Sequence, residues 1–176
     1  MRILGIDPGL QVCGYACIET DGDRHKLIEA GVIRTAPASS CRKTGAGGRI
    51  EEKLNRIAED TDSLLKTLRP DIVAVEELYS HYAHPRTAIL MGHARGVILQ
   101  KCAEVTVEVR SFSATRIKKS ITGNGRASKE QVQRTIQTFL SLPDLPRPPD
   151  VADAIAAALC CANSCNPLLQ TVLQKR

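Results

Sequence analysis

Apolar positions along the chain change period as it proceeds. Three short runs come first, over Arg2–Asp7, Gly14–Thr20 and Lys26–Arg34, and each reads as a β-strand. "TDGD" (20–23) supplies a tight turn between the second and third, which predicts an antiparallel meander. "TAPASSCRKTGAGG", rich in small residues, Pro and Gly, then reads as a loop. From Ile50 the spacing becomes three and four: Ile50, Leu54, Ile57, Thr61, Leu65 and Leu68 share one helical face, and Arg69-Pro70 ends that helix. In "DIVAVEE" (71–77) nothing polar separates Asp71 from Glu76, as in a strand covered on both faces. The loop "LYSHYAHP" leads to a helix over Arg86–Cys102, and "VTVEV" (105–109) predicts a fifth strand. Ser128 and Gln131 form a capping-box pattern for a helix through Phe139 and Leu140. After "SLPDLPRPPD" comes a final helix of small apolar residues, Val151–Ala162.

That order predicts an α/β fold in which a mixed five-stranded sheet carries helices on both faces, the ribonuclease-H-like architecture. Sugar kinases and actin-like ATPases share the element order, so the fold does not choose the function. The 176 residues suit one domain, expected over residues 1–166 with a short tail at 167–176. No run approaches the roughly 20 apolar residues of a membrane span, and the first residues lack a signal-peptide pattern. A cytoplasmic protein is expected, with no membrane partner. The seven cysteines are odd in number and sit mostly inside predicted elements, without spaced C-x-x-C pairs, so they read as reduced thiols used as small hydrophobes rather than as disulfides or zinc ligands. A net charge of +5 permits a polyanionic partner without establishing one.

The candidate chemistry lies in the acids. Asp7 ends the first strand, where Asp-Pro-Gly is also an ordinary turn sequence. Glu76 and Glu77 end the fourth strand and point to opposite sides, so one of them faces Asp7, and spacing does not say which. Asp150 and Asp153 open the last helix on a shared face. Asp150 after Pro148-Pro149 reads as an N-cap, whereas Asp153 lies in a segment apolar almost all round. Carboxylates converging on one partly buried spot repel unless a cation neutralises them. Oxygen ligands without His or Cys favour Mg²⁺ or Mn²⁺, and two such ions can drive in-line hydrolysis of a phosphodiester.

Two basic clusters flank these acids. Arg42, Lys43 and Arg49 lie on or beside the first loop, and "ATRIKKSITGNGRASKEQVQR" carries Arg116, Lys118, Lys119, Arg126, Lys129 and Arg134 around a Gly-rich turn. A turn of that kind before a capped helix is expected to offer backbone N–H groups to phosphate. Tyr79, with His81, Tyr82 and His84 close by, either stacks on unpaired bases or anchors its loop to the core.

In order along the chain, "ILGIDPGLQVCGYA", "PDIVAVEELY", "GHARGV", "TGNGRASKEQVQ" and "DVADAIAAAL" resemble the motifs of the RuvC family, the crossover junction endodeoxyribonucleases that resolve Holliday junctions. The resemblance implies catalytic, metal-binding acids at Asp7, Glu76, Asp150 and Asp153, with Glu77 facing away. Some relatives have His where Asp150 stands. It implies DNA contacts at Lys118 and Lys129, to which Arg116, Lys119 and Arg126 of the same basic segment are joined as candidates. Tyr79 falls where an aromatic, often Phe, is associated with stacking at the junction centre. The loop Thr35–Gly48 is longer and more basic than the family pattern. The resemblance further implies two Mg²⁺ per site, with Mn²⁺ a possible substitute. It implies a homodimer that nicks two strands of like polarity in four-way junction DNA, leaving 5′-phosphate and 3′-hydroxyl ends, with RuvA and RuvB as partners. The rivals are a RuvX-type nuclease of ribosomal RNA processing, an actin-like ATPase or sugar kinase, and a catalytically silent DNA-binding module. The first lacks the basic Gly-rich segment, the second needs another phosphate loop that this chain does not have, and the third does not explain four intact acids.

Overall fold

The computed structural model describes residues 1–35, 48–78 and 85–165. Strands β1 (Arg2–Asp7), β2 (Val12–Asp21) and β3 (Arg24–Arg34) form the expected antiparallel meander. Strand β4 (Ile72–Glu76) adds parallel to β1, and β5 (Glu108–Phe112) adds parallel to β4. The sheet order is β3-β2-β1-β4-β5, mixed and five-stranded as the residue pattern predicts.

Helices cover both faces. Helix α1 (Ile50–Leu68) lays its three-and-four apolar stripe on one face, together with α2 (Pro85–Glu104). Leu4, Ile6, Val73 and Val75 of the sheet meet Ile57, Leu65, Ala94 and Ile98 there. Alternation sends Ile3, Ile72 and Ala74 to the opposite face, against α3 (Ala114–Thr122), α4 (Lys129–Phe139) and α5 (Pro149–Cys165). Helix α5 lies innermost, which is why eleven of its residues are buried and small side chains dominate it. Among the described residues no helix is long and apolar enough to cross a membrane. The described cysteines are all free, and all but Cys165 are buried.

Two local readings need correction, and one element is absent from the sequence pattern. The fifth strand starts at Glu108, not Val105. Helix α2 ends by turning its next residues back: the Thr106 N–H donates to the Ala103 carbonyl and the Val107 N–H to that of Cys102. Thr106 takes a left-handed φ of 57° there, so the β-branched run is partly used in a helix cap. The added element is a helix within the basic segment, α3, capped by Ser113, whose hydroxyl accepts from the Arg116 N–H. Second, Asp150 is not an N-cap. Pro149, with its fixed φ, opens α5 and puts Asp150 in the first turn.

Candidate active site

Asp7 and Glu76 end neighbouring parallel strands. The register pairs Ile6 with Val75, so the two acids stand side by side at the next position. Both follow the alternation onto the α5 face, whereas Glu77 turns to the other side and lies beside Gly92, Arg95 and Gly96 of α2. Arg95 fixes this strand end. Its Nε donates to the Glu76 carbonyl at 3.2 Å and a terminal nitrogen donates to the Ser111 hydroxyl at 2.7 Å, joining β4 to β5 just below the acids.

Two glycines bring the last pair of acids in. A β-carbon on Gly14 would overlap the Asp150 carbonyl, and one on Gly5 would overlap that of Ala154 and crowd the Ala158 nitrogen. Helix α5 therefore lies against bare backbone of β1 and β2, with positions 150, 154 and 158 forming the ridge in contact. Gly14 also pairs with Asp7 across β1 and β2, so the close approach places Asp150 next to Asp7. Glycine inside a strand is the sequence signal that could have exposed this seat.

The turn after Asp7 has its own clamp. The Cys13 thiol donates to the Gly9 carbonyl at 2.8 Å and accepts from the Gly9 N–H at 3.3 Å. The reading of cysteines as small hydrophobes misses this. Asp-Pro-Gly is thus a true turn, and it aims Asp7 rather than accounting for it.

Electrostatically the four acids behave as one cluster. Burial is the main cause that raises the Asp7 carboxyl from 3.8 to about 7, with repulsion from Glu76, Asp153 and Asp150 adding to it. Glu76 is raised as well, by burial and then by Asp153, while Lys129 and Lys118 pull it down. As the side chains lie, no three His, Cys, Asp or Glu among the described residues close around an ion. Instead the Lys129 ammonium sits 3.0 Å from Asp153 Oδ2. The donor set nonetheless fits a hard dication: carboxylate oxygens only, crowded enough that burial and mutual repulsion push the Asp7 carboxyl up to about 7.

The basic residues divide. Lys118 and Lys129 bear on the acids. Arg116 lies over the Phe112 ring at 5.0 Å from its centroid, while Lys119 and Arg126 are exposed, in α3 and the turn after it. Several N–H groups of the Gly-rich turn are already taken. Asn124 N–H donates to the Thr122 hydroxyl, Arg126 N–H to Asn124 Oδ1 and Ala127 N–H to the Asn124 carbonyl. Tyr79, His81, Tyr82, His84, Arg42, Lys43 and the tail at 167–176 lie outside the described residues.

A ribonuclease-H-like sheet with acids gathered at the ends of its two central parallel strands and on the facing helix defines a class of nucleases. The family model described as "Crossover junction endodeoxyribonuclease RuvC" matches residues 3–161, and the chain belongs to that family. Relatives of that name from Rhodopirellula baltica and Heliobacterium modesticaldum are 46% and 41% identical. The first match covers 90% of this chain and 84% of the relative, the second 93% and 95%. Among solved structures, T. thermophilus RuvC in complex with Holliday junction substrate superposes with a TM-score of 0.85 at 30% identity, covering 96% of this chain and 97% of that one.

Proposed function

We propose that this protein resolves Holliday junctions by metal-dependent hydrolysis of phosphodiesters, nicking two strands of like polarity and leaving 5′-phosphate and 3′-hydroxyl ends. The observation that carries the reading is the convergence of Asp7, Glu76, Asp150 and Asp153 from three elements onto one mutually repelling cluster, in a chain of the RuvC family. The T. thermophilus relative binds a Holliday junction substrate, which supports the same substrate here.

Asp7, Glu76, Asp150 and Asp153 are the residues to hold divalent cations, two Mg²⁺ per site in this reading. Bound there, such ions supply an activated water and charge stabilisation for the leaving 3′-oxygen. The protein's own contribution is placement. Arg95 and the two strand ends fix Asp7 and Glu76, and Gly14 seats Asp150. Lys118 and Lys129 stand at the rim, where a phosphate chain with one negative charge per nucleotide must pass, and Arg116, Lys119 and Arg126 extend that rim along α3 and the following turn. Tyr79 follows β4 in sequence, and its proposed role is either to stack on unpaired bases at the junction centre or to anchor its loop.

Symmetric nicking needs two sites, so the active species is a homodimer. Support comes from α2, whose Ile89 is 61% exposed beside open backbone at Gly92 and Gly96, with Leu54 of α1 on the same groove. RuvA and RuvB are the proposed partners, in the cytoplasm. The domain comprises residues 1–166, with 167–176 as a tail.

The test compares a synthetic four-way junction, a linear duplex and a structured RNA, each with and without Mg²⁺. The expected result is paired nicks in the junction alone and only with metal; preferential cutting of the RNA would overturn the reading in favour of an RNA-processing nuclease.

A further inference from the structure

Lys129 occupies an unusual place for a lysine. It is the first residue of α4, fixed there by the Ser128–Gln131 capping box. The partial positive charge of a helix N-terminus disfavours a cation at that position, so something else must hold it. That something is Asp153, 3.0 Å away and one residue past the first turn of α5. The pair is lopsided: the Asp153 side chain is 24% exposed and that of Lys129 70%. The lysine thus reaches inward from the rim on a flexible stem, while the acid belongs to the floor. Its charge extends past this one partner, because Asp7 and Asp150 also act on Lys129 and Lys129 acts on Glu76. One ammonium therefore answers to all four carboxylates.

An exposed lysine–carboxylate bridge is weak and exchangeable. An ammonium is a compact point charge that binds a phosphate as readily as a carboxylate. Two ligands then compete for the two halves of the bridge: a divalent cation for Asp153, and a DNA phosphate for Lys129.

We propose that Lys129 is a placeholder counter-ion, neutralising Asp153 in the free protein and passing to a backbone phosphate when DNA arrives, so that DNA and metal bind cooperatively. The inference rests on the reading of the four acids as a metal site. In the free protein a divalent cation must break the bridge to reach Asp153, which weakens its binding. Once a phosphate holds Lys129, that opposition is gone. By linkage, bound metal strengthens DNA binding by the same factor. Lys118 also acts on Glu76, but no ion pair ties it to an acid among the described residues. The exchange is therefore assigned to Lys129.

The test is calorimetric titration of Ca²⁺, which the same oxygens can ligate, into the protein alone and into its complex with a four-way junction. A denaturing gel confirms that the DNA stays intact. For the wild type, junction binding should tighten Ca²⁺ several-fold. Lys129→Gln should tighten Ca²⁺ binding to the DNA-free protein by about three- to fivefold and shrink the gain from junction DNA by a similar factor. Lys119→Gln removes the same charge nearby and should move the DNA-free affinity by less than about twofold. If Lys129→Gln changes Ca²⁺ affinity no more than Lys119→Gln, or leaves the gain from DNA intact, the placeholder role is overturned while the metal site stands. Asp7→Asn separates the two ideas: if it binds Ca²⁺ as the wild type does, the metal reading fails and takes the proposal with it.

Discussion

Asp7 shows how much one side chain can be made to do by its position. It ends a strand with Ile3, Leu4 and Ile6 fully buried behind it, and its turn is clamped by Cys13. Burial and three neighbouring acids push its carboxyl to about 7. Because the folded value lies above the unfolded one, the folded chain binds the proton more tightly, and the associated stability is fully present below about pH 4. It is lost as pH rises through about 7. Asp7→Asn keeps the shape and removes the charge, so the metal-free variant should melt at a higher temperature than the wild type at pH 8 and at the same temperature near pH 4. An equal shift at both pH values would contradict the burial argument. The same variant should lose Mg²⁺-dependent cleavage by about a hundredfold or more while still retarding a junction on a gel. Glu76 offers a cleaner comparison, since its neighbour has the same chemistry on the other side of the strand. Glu76→Gln should match Asp7→Asn in lost cleavage, and Glu77→Gln should retain most activity; comparable losses in a single-turnover assay would mean that the strand's facing does not select the acid.

At the level of elements, the site depends on how closely α5 lies on the sheet. Six of its residues are alanine, and the two strands below it present glycine where the helix axis crosses. Gly14→Ala must move either β2 or the Asp150 carbonyl, at about 1–3 kcal/mol by the usual cost of overpacking. The carbonyl belongs to Asp150, one of the four acids proposed to hold metal, so cleavage should fall further than the lost stability alone would cause. The check is to assay below the variant's melting transition, where wild-type rates from a destabilised protein would show that α5 tolerates a looser seat. These glycines sit in plain view in the sequence, but a glycine in an apolar strand does not say which element approaches it. Other elements divide in the same way. The meander, α1 and the Ser128 cap follow from local pattern, because each is set by its own residues. Strand β5 does not, because the left-handed Thr106 that delays it is a response to the end of α2 and goes against the preference of a β-branched residue. The turn at Gly123–Gly125 invites phosphate by composition, yet the N–H groups of Asn124 and Arg126 are taken by Thr122 and Asn124.

For the molecule as a whole, the acids could be found in the sequence but their convergence could not, since residues 7, 76 and 150–153 meet only through parallel pairing and helix docking. Which glutamate turns inward was undecided by spacing, and it is the register of β4 against β1 that places Glu76 on the α5 face. In the proposed reading one acid cluster cuts one strand at a time. Paired cuts within one binding event therefore need a second copy of the chain, held so that both sites reach the same junction. The α2 groove is the surface on which this can be tested. Ile89, Gly92, His93, Gly96 and Gln100 line it, and a side chain added at either glycine would project into open space in the single chain. Gly96→Arg should therefore leave the fold and melting temperature of the isolated chain nearly unchanged, while placing a long cation where a partner helix would pack. Sedimentation should show the wild type as a dimer and the variant as a monomer at the same concentration. On a supercoiled plasmid that extrudes a cruciform, the wild type should yield linear product from paired cuts, and the variant should accumulate singly nicked circles. A variant that remains dimeric and linearises the plasmid would move the dimer interface off α2.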